Sequence, residues 1–253
     1  MTKIHIGTMG WSYSFWIGKL YTAGCKPEEY LSEYSKHFDT VEVDSTFYRI
    51  PYKSTVAKWK TQTQPEFIFS AKFPKAITHD KRLVDCEEEL KRFLESISPL
   101  QEKTGPLLLQ FPPSFKSTNI PALKEFLEKM PHGHRLAVEV RNRELLSSEL
   151  NSLLRDNRVT LVFTDHSSTQ EMEEVTGDFV YVRCEGDRKK VQGTSGKVEV
   201  EKIDDVKNWA DRIKRYADKS MEVFVYFSKY YTGYPPSDAE QLKKALKLTV
   251  NLK

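Results

Sequence analysis

Cysteine is scarce in this chain: 253 residues hold three, Cys25, Cys86 and Cys184, with no CxxC spacing. An odd, scattered set argues against a disulfide framework. Long apolar runs are missing as well, and no stretch approaches the roughly 18 uninterrupted apolar residues of a membrane span. The opening Met1-Thr2-Lys3-Ile4 runs straight into a strand-like segment, with no signal-peptide core and no targeting arm. These absences lead us to expect a reduced, cytoplasmic protein with no membrane partner. Charge of one sign is also lacking. A formal net charge of +3 permits an anionic partner without implying one, whereas a dedicated nucleic-acid binder carries a stronger basic excess. The first strand-to-helix turn, Gly7-Thr8-Met9-Gly10-Trp11, lacks the glycine fingerprint of a dinucleotide-binding open sheet.

What is present is an alternation of β-rich and helical segments along the whole chain. Strands are expected at 3–8, 39–44, 66–72, 105–111, 135–141, 158–164, 178–185 and 221–227. Helical patterns fit at 27–37, 53–62, 85–98, 119–129, 144–155, 202–218 and 236–247, with at most a turn of helix in 166–176. Pro27 and Pro121 suit first helical positions, and Gly105 and Gly177 precede strands as helix stops do. Eight such units without a linker predict an α/β chain folded as a single-domain (β/α)8 TIM-type barrel, for which about 250 residues is the usual length.

Strands buried on both faces should read as continuous apolar runs. Several here do not. Val41 and Val43 alternate with Glu42 and Asp44. Leu136, Val138 and Val140 alternate with Ala137, Glu139 and Arg141. Val180, Val182 and Cys184 alternate with Tyr181, Arg183 and Glu185. A period of two puts each polar set on one face, and the apolar set must meet the helices, so the polar set points inward. The same logic places Lys72, Gln110, Tyr226 and Ser228 inside. These charges sit at the C-terminal ends of their strands, where barrel enzymes build their sites. An ion-pair network that merely fills the interior is the alternative. We weigh it as the poorer one, because buried pairs are weak stabilisers.

Several segments carry a family resemblance. They are Gly7-Thr8-Met9-Gly10-Trp11-Ser12-Tyr13, Val41-Glu42-Val43-Asp44-Ser45-Thr46-Phe47-Tyr48, Phe69-Ser70-Ala71-Lys72 with Thr78-His79, and the run from Gly105 to Phe115 around Gln110-Phe111-Pro112-Pro113. Ala137-Val138-Glu139-Val140-Arg141 and Tyr181-Val182-Arg183 complete the set. Together and in this order they resemble the DUF72 family, the YecE-like proteins. The resemblance implies a TIM-type barrel, likened to those of the endonuclease IV type, and leaves the reaction open. The chain departs from the family pattern at four mouth positions. Asp44 stands where Asn is usual, and Asn142-Arg143-Glu144-Leu145 where His and then Trp follow. Cys184-Glu185-Gly186 replaces hydrophobe-His-Gly, and Ser228-Lys229 replaces an Asn pair.

The leading functional expectation is an enzyme acting on a small anionic or sugar-like ligand. Glu42 and Glu139 are the acid–base candidates. Trp11, Tyr13, Asp44, Lys72, His79, Gln110, Arg141, Arg183, Glu185 and Tyr226 are the ligand-binding candidates. Lys72, Arg141 and Arg183 should converge and hold phosphate, sulfate or a phosphorylated molecule. The basic, glycine-containing run 185–197 reads as a mobile solvated loop, since its glycine spacing is not that of a P-loop. Six histidines, of which only His79 and more weakly His166 fall near the mouth, are too few for a zinc cluster like that of endonuclease IV. No metal and no cofactor are expected. Two other classes stay open: nucleic-acid processing, by analogy with endonuclease IV-type barrels, and non-catalytic ligand binding, motivated by the four departures.

Overall fold

The computed structural model describes residues 3–166 and 174–248. The turn of helix expected in 166–176 falls largely outside the described residues. Among the described residues nine strands form two parallel sheets. The first has the order β1 (Ile4–Thr8), β9 (Glu222–Phe227), β8 (Phe179–Cys184), β7 (Phe163–Thr164). The second runs β2 (Thr40–Val43), β3 (Ile68–Lys72), β4 (Thr104–Gln110), β5 (Leu136–Glu139), β6 (Thr160–Leu161). The α-helices among the described residues are α1 (Tyr30–Tyr34), α2 (Lys53–Thr61), α3 (Glu87–Ile97), α4 (Ile120–Lys129), α5 (Ser148–Asp156), α6 (Ile203–Ala217) and α7 (Pro235–Ala245).

The two sheets meet at two seams, and each has a physical cause. At the first, β1 and β2 share one parallel bridge, Met9 with Glu42, and Gly10 N donates to Glu42 O at 2.8 Å. Below it the Tyr34 hydroxyl from α1 takes the place of a ladder bond. It accepts from Thr8 N at 2.9 Å and donates to Thr40 O at 3.0 Å. Gly7 permits this approach, since a Cβ there would lie 2.2 Å from Thr40 O. At the second seam the expected sixth strand is broken. β6 pairs with β5 and β7 pairs with β8, with Val162 between them donating to Val138 O. The run 158–164 therefore serves both sheets in turn.

The amphipathic helices close the outer faces, and one large core lies between them and the sheets. α3 presents Leu90, Phe93 and Ile97 inward at helical spacing, and α6 presents Val206, Trp209, Ala210 and Ile213. Between the sheets a second cluster of side chains is buried. They include Phe179 and Phe224, with Ile68 packed against them. Tyr181, Tyr226, Leu108, Ala137, Val162 and Met9 complete it. Hydrogen bonds tie the sheets across this interior: Tyr181 to Ser70 at 2.6 Å and Tyr226 to Thr40 at 2.8 Å. Among the described residues no helix is long and apolar enough to cross a membrane.

Candidate functional site at the C-terminal strand ends

The inward charges stand near the C-terminal ends of their strands. Glu42 pairs across β2–β3 with Ser70, Gln110 across β4–β5 with Glu139, and Arg183 across β8–β9 with Tyr226. Arg183 is the hub. Its Nη2 and Nε bind the two oxygens of Glu42 at 2.8 and 2.9 Å, and its Nη1 is shared by Glu139 and Glu185. The Tyr181 hydroxyl completes Glu42 from below at 2.7 Å. Arg141 joins from β5's end, with Nε on Glu139 and Nη2 on Glu185 at 2.8 Å. Burial pushes the Glu42 carboxyl above its ordinary value, opposed by the Arg183 guanidinium that pairs with it. Burial would raise Glu185 too, yet Arg183, then Arg141 and Lys72, outweigh it and hold Glu185 at about 2.

This lattice revises two sequence expectations. Glu42 and Glu139 were the acid–base candidates, but they are 0% and 1% exposed, sealed beneath Arg183. Nor are the cations free: Arg183 is bracketed by three carboxylates and Arg141 by two. The ion-pair network given second place in the sequence therefore forms the floor of the site. Tyr226 lies below that floor, 0% exposed, with its hydroxyl on Thr40. Trp11 stacks edge-on against Trp59 at 5.3 Å and does not line the cavity above the floor.

That cavity measures about 240 Å³ and is lined by Tyr13, Asp44, Lys72, Gln110, Arg141, Arg183 and Glu185 from the expected set, a size suited to a small polar molecule. It also takes in Tyr48, Arg188, Lys229 and Tyr230, which alternation could not reveal because they lie on loops. Lys72 Nζ donates to Gln110 Oε1 at 2.8 Å and rides over the Phe47 ring at 4.1 Å. Burial, helped by Arg183, brings its amine down to about 8. Burial also raises the Asp44 carboxyl, against the pull of Arg183 and Lys72. Among the described residues neither Lys72 nor Asp44 has an ion-pair partner. Arg188 and Lys229 flank the Tyr230 ring at 4.8 and 5.0 Å.

A second cavity of about 600 Å³ adjoins the first, sharing Gln110, Arg141, Glu185 and Arg188 and adding His79, His166 and Lys202. His79 packs on Phe47 at 4.8 Å, and burial and Lys72 lower its imidazole to about 4, so it is neutral at physiological pH. No group of three His, Cys, Asp or Glu among the described residues is arranged to hold a metal ion.

The run 185–197 is a pinned strap rather than the expected mobile loop. Lys19 Nζ grips Ser195 O and Gly196 O, and Glu199 accepts from the amides of Gln192 and Gly193 at 2.7 and 2.9 Å. Asp165 likewise accepts from Glu185 N at 2.6 Å and Gly186 N at 3.2 Å. Backbone amides that would suit an anion after this strand are thus filled by the chain's own carboxylates.

The comparisons fit this architecture. A family model described as "Protein of unknown function DUF72" matches residues 5–252. The UPF0759 protein YecE of Escherichia coli (strain K12) is 33% identical over 178 residues, 65% of this chain and 63% of its own length. UPF0759 protein YunF of Bacillus subtilis (strain 168) is 32% identical over 152 residues, 57% of this chain and 52% of its own. The chain thus aligns with less than two thirds of the length of these relatives. The crystal structure of a DUF72 family protein from Thermotoga maritima superposes with a TM-score of 0.83 at 27% identity, covering 97% of this chain and 99% of that one. A D-psicose 3-epimerase structure, 11% identical, superposes at 0.55 over 96% of this chain and 97% of its own, a likeness of fold alone.

Proposed function

This chain belongs to the DUF72 family, and on that premise we propose that it is an enzyme acting on a small anionic polar ligand at the C-terminal mouth of a single-domain (β/α)8 barrel. The bridge at Met9 and the sixth strand shared by both sheets support reading the two sheets as one ring. One observation carries the functional reading: among the described residues Lys72 and Asp44 face the same small cavity without ion-pair partners, while Glu42, Glu139, Arg141, Arg183 and Glu185 are spent on the floor. The floor fixes the electrostatic background. Arg188 and Lys229 attract the anion at the rim, and Lys72 with Asp44 hold and move a proton on it.

Inorganic phosphate tests this in a thermal-shift titration. The ligand should raise Tm by mass action. The double variant Arg188→Met, Lys229→Met should lose most of the shift. Lys124→Gln, an exposed position on the distant α4, should keep it. Equal shifts in both would refute the reading.

A second reading, nucleic-acid processing, draws on Tyr48 and Tyr52. They are 79% and 69% exposed beside the mouth, with Arg49 over the Tyr52 ring at 5.5 Å, a surface on which bases stack. It requires binding to single-stranded DNA or RNA that weakens steeply with salt. Binding insensitive to salt would exclude it.

A further inference from the structure

Lys72 differs from every other cation of the mouth. Arg183 and Arg141 are locked to carboxylates, and Arg188 and Lys229 lie over tyrosine rings at the rim. Lys72 is the last residue of β3, so a strand rather than a loop aims its amine into the cavity. The Phe47 ring shields one side of that amine, and a single hydrogen bond to Gln110 fixes its direction. Asp44, the residue that follows β2 and opens a short helical turn, faces the same space.

We propose that Lys72 is a nucleophile that forms an iminium with the carbonyl of an aldehyde or ketone bearing a carboxylate or phosphate, with Asp44 as the proton carrier. This rests on the anion-binding reading above and names the ligand's reacting group. The lone pair of the neutral Nζ attacks the carbonyl carbon. A C–N bond forms as the carbonyl π pair moves to oxygen. One nitrogen proton passes to that oxygen through Asp44, giving a carbinolamine. Asp44, which holds the proton that Lys72 gave up on becoming neutral, then passes that proton to the hydroxyl, the C–O bond breaks, and water leaves. The nitrogen lone pair closes the C=N bond, leaving a cationic iminium with one hydrogen on nitrogen. No oxidant or reductant is needed. An amine held at about 8 supports the attack, since roughly a tenth of it is unprotonated at pH 7, against far less for an ordinary lysine. The carbonyl compound's anionic group would sit toward Arg188 and Lys229.

Reductive trapping decides the matter. The full chain is incubated with glyoxylate or with dihydroxyacetone phosphate, reduced with sodium borohydride, and mapped by peptide mass spectrometry. The expected product is an adduct at Lys72 equal to the probe's mass less one oxygen. Propionaldehyde, which has no anionic group, should label Lys72 at least tenfold more slowly. Lys72→Arg keeps the charge but cannot form the imine, so it should lose the adduct and retain phosphate stabilisation. Asp44→Asn should slow trapping by about tenfold or more. Phosphate stabilisation without any Lys72 adduct from either anion would overturn the proposal and leave the anion-binding reading standing. Labelling of surface lysines as heavily as Lys72 would overturn it too. Absence of phosphate stabilisation in the unsubstituted protein would remove both.

Discussion

The molecule carries an ionic cluster at each end of its strands, and the two are built differently. At the N-terminal end His5 donates from Nδ1 to Asp39 at 2.8 Å and from Nε2 to Glu222 at 3.1 Å, Arg135 pairs with Glu222, and the His5 ring stacks on Phe224 at 4.9 Å. Asp39, Glu222 and Arg135 are 48%, 31% and 35% exposed in their side chains, so water shares the work. At the C-terminal end Arg183, Glu42 and Glu139 are at most 4% exposed, and the network continues upward into a cavity where Lys72 and Asp44 have no ion-pair partner among the described residues. The lower cluster closes on itself against an aromatic layer. The upper one is buried below and incomplete above. Completeness suits a structural plug, whereas a buried network with spare groups at its open side suits a ligand.

The largest expected effect tests this contrast directly. Arg183→Met should leave Glu42 buried without a cation, with Glu139 and Glu185 sharing Arg141 alone, a loss of about 3–5 kcal/mol or failure to fold, read by urea denaturation. Tyr181→Phe removes the donor to Glu42 and the partner of Ser70 in the same buried layer. It should cost about 1–3 kcal/mol. A loss below 0.5 kcal/mol in both, on the order of a surface change, would mean the upper network is no more tightly built than the lower.

The two clusters should also respond oppositely to alkali. Burial works against the charge on His5, but hydrogen bonds to Asp39 and Glu222, with their charges, raise its pKa to about 9. The folded state then binds more protons than the unfolded one between about 6.5 and 9. This contribution is therefore complete below 6.5 and lost as pH rises through 9. After discount for the exposed Asp39 it is on the order of 1 kcal/mol. Lys72 has the opposite sign. Its folded pKa of about 8 lies below the ordinary 10.5, so the unfolded state binds more protons between them, and stability from this group rises over that window. Stability measured from pH 6 to 10 should lose its early fall in His5→Gln and its later recovery in Lys72→Met. Identical profiles in the three proteins would contradict both assignments.

Much of this arrangement was legible in the residues, for reasons that also set its limits. Alternation in 41–44, 136–141 and 180–185 correctly turned the charges inward, because period two is a property of every strand. It could not say how deep each would lie. Tyr226 and Arg183 share a register pair, yet one sits under the floor and the other forms it. Nor could it reveal partners: the contact of Arg183 with Glu42 joins residues 141 positions apart. The break at Val162 was hidden because Thr160-Leu161-Val162-Phe163-Thr164 is as β-prone as an unbroken strand. The strap 185–197 looked mobile from its glycines and lysines. Its order comes from Lys19 and Glu199, whose reach across the chain leaves no local signature.

The smallest expected effect concerns Arg135, and it sharpens the comparison from the lower side. Its guanidinium pairs with a partly exposed Glu222 and lies 5.0 Å from the Phe224 ring centre. Replacement by Met keeps the apolar stem over the ring and removes the charge, so the cost should be only about 0.2–1 kcal/mol. The charge change has a second consequence. With Arg135 gone, Glu222 is shared by fewer cations, and its attraction for a protonated His5 strengthens. The His5 titration followed by NMR should therefore move upward from about 9, and the alkaline loss of stability should begin at higher pH. Phosphate binding at the opposite end should be unchanged, because no contact of Arg135 reaches the mouth. A downward movement of His5 in Arg135→Met, or a weakened phosphate shift, would show that the two clusters are coupled through the interior tyrosine layer rather than separated by it.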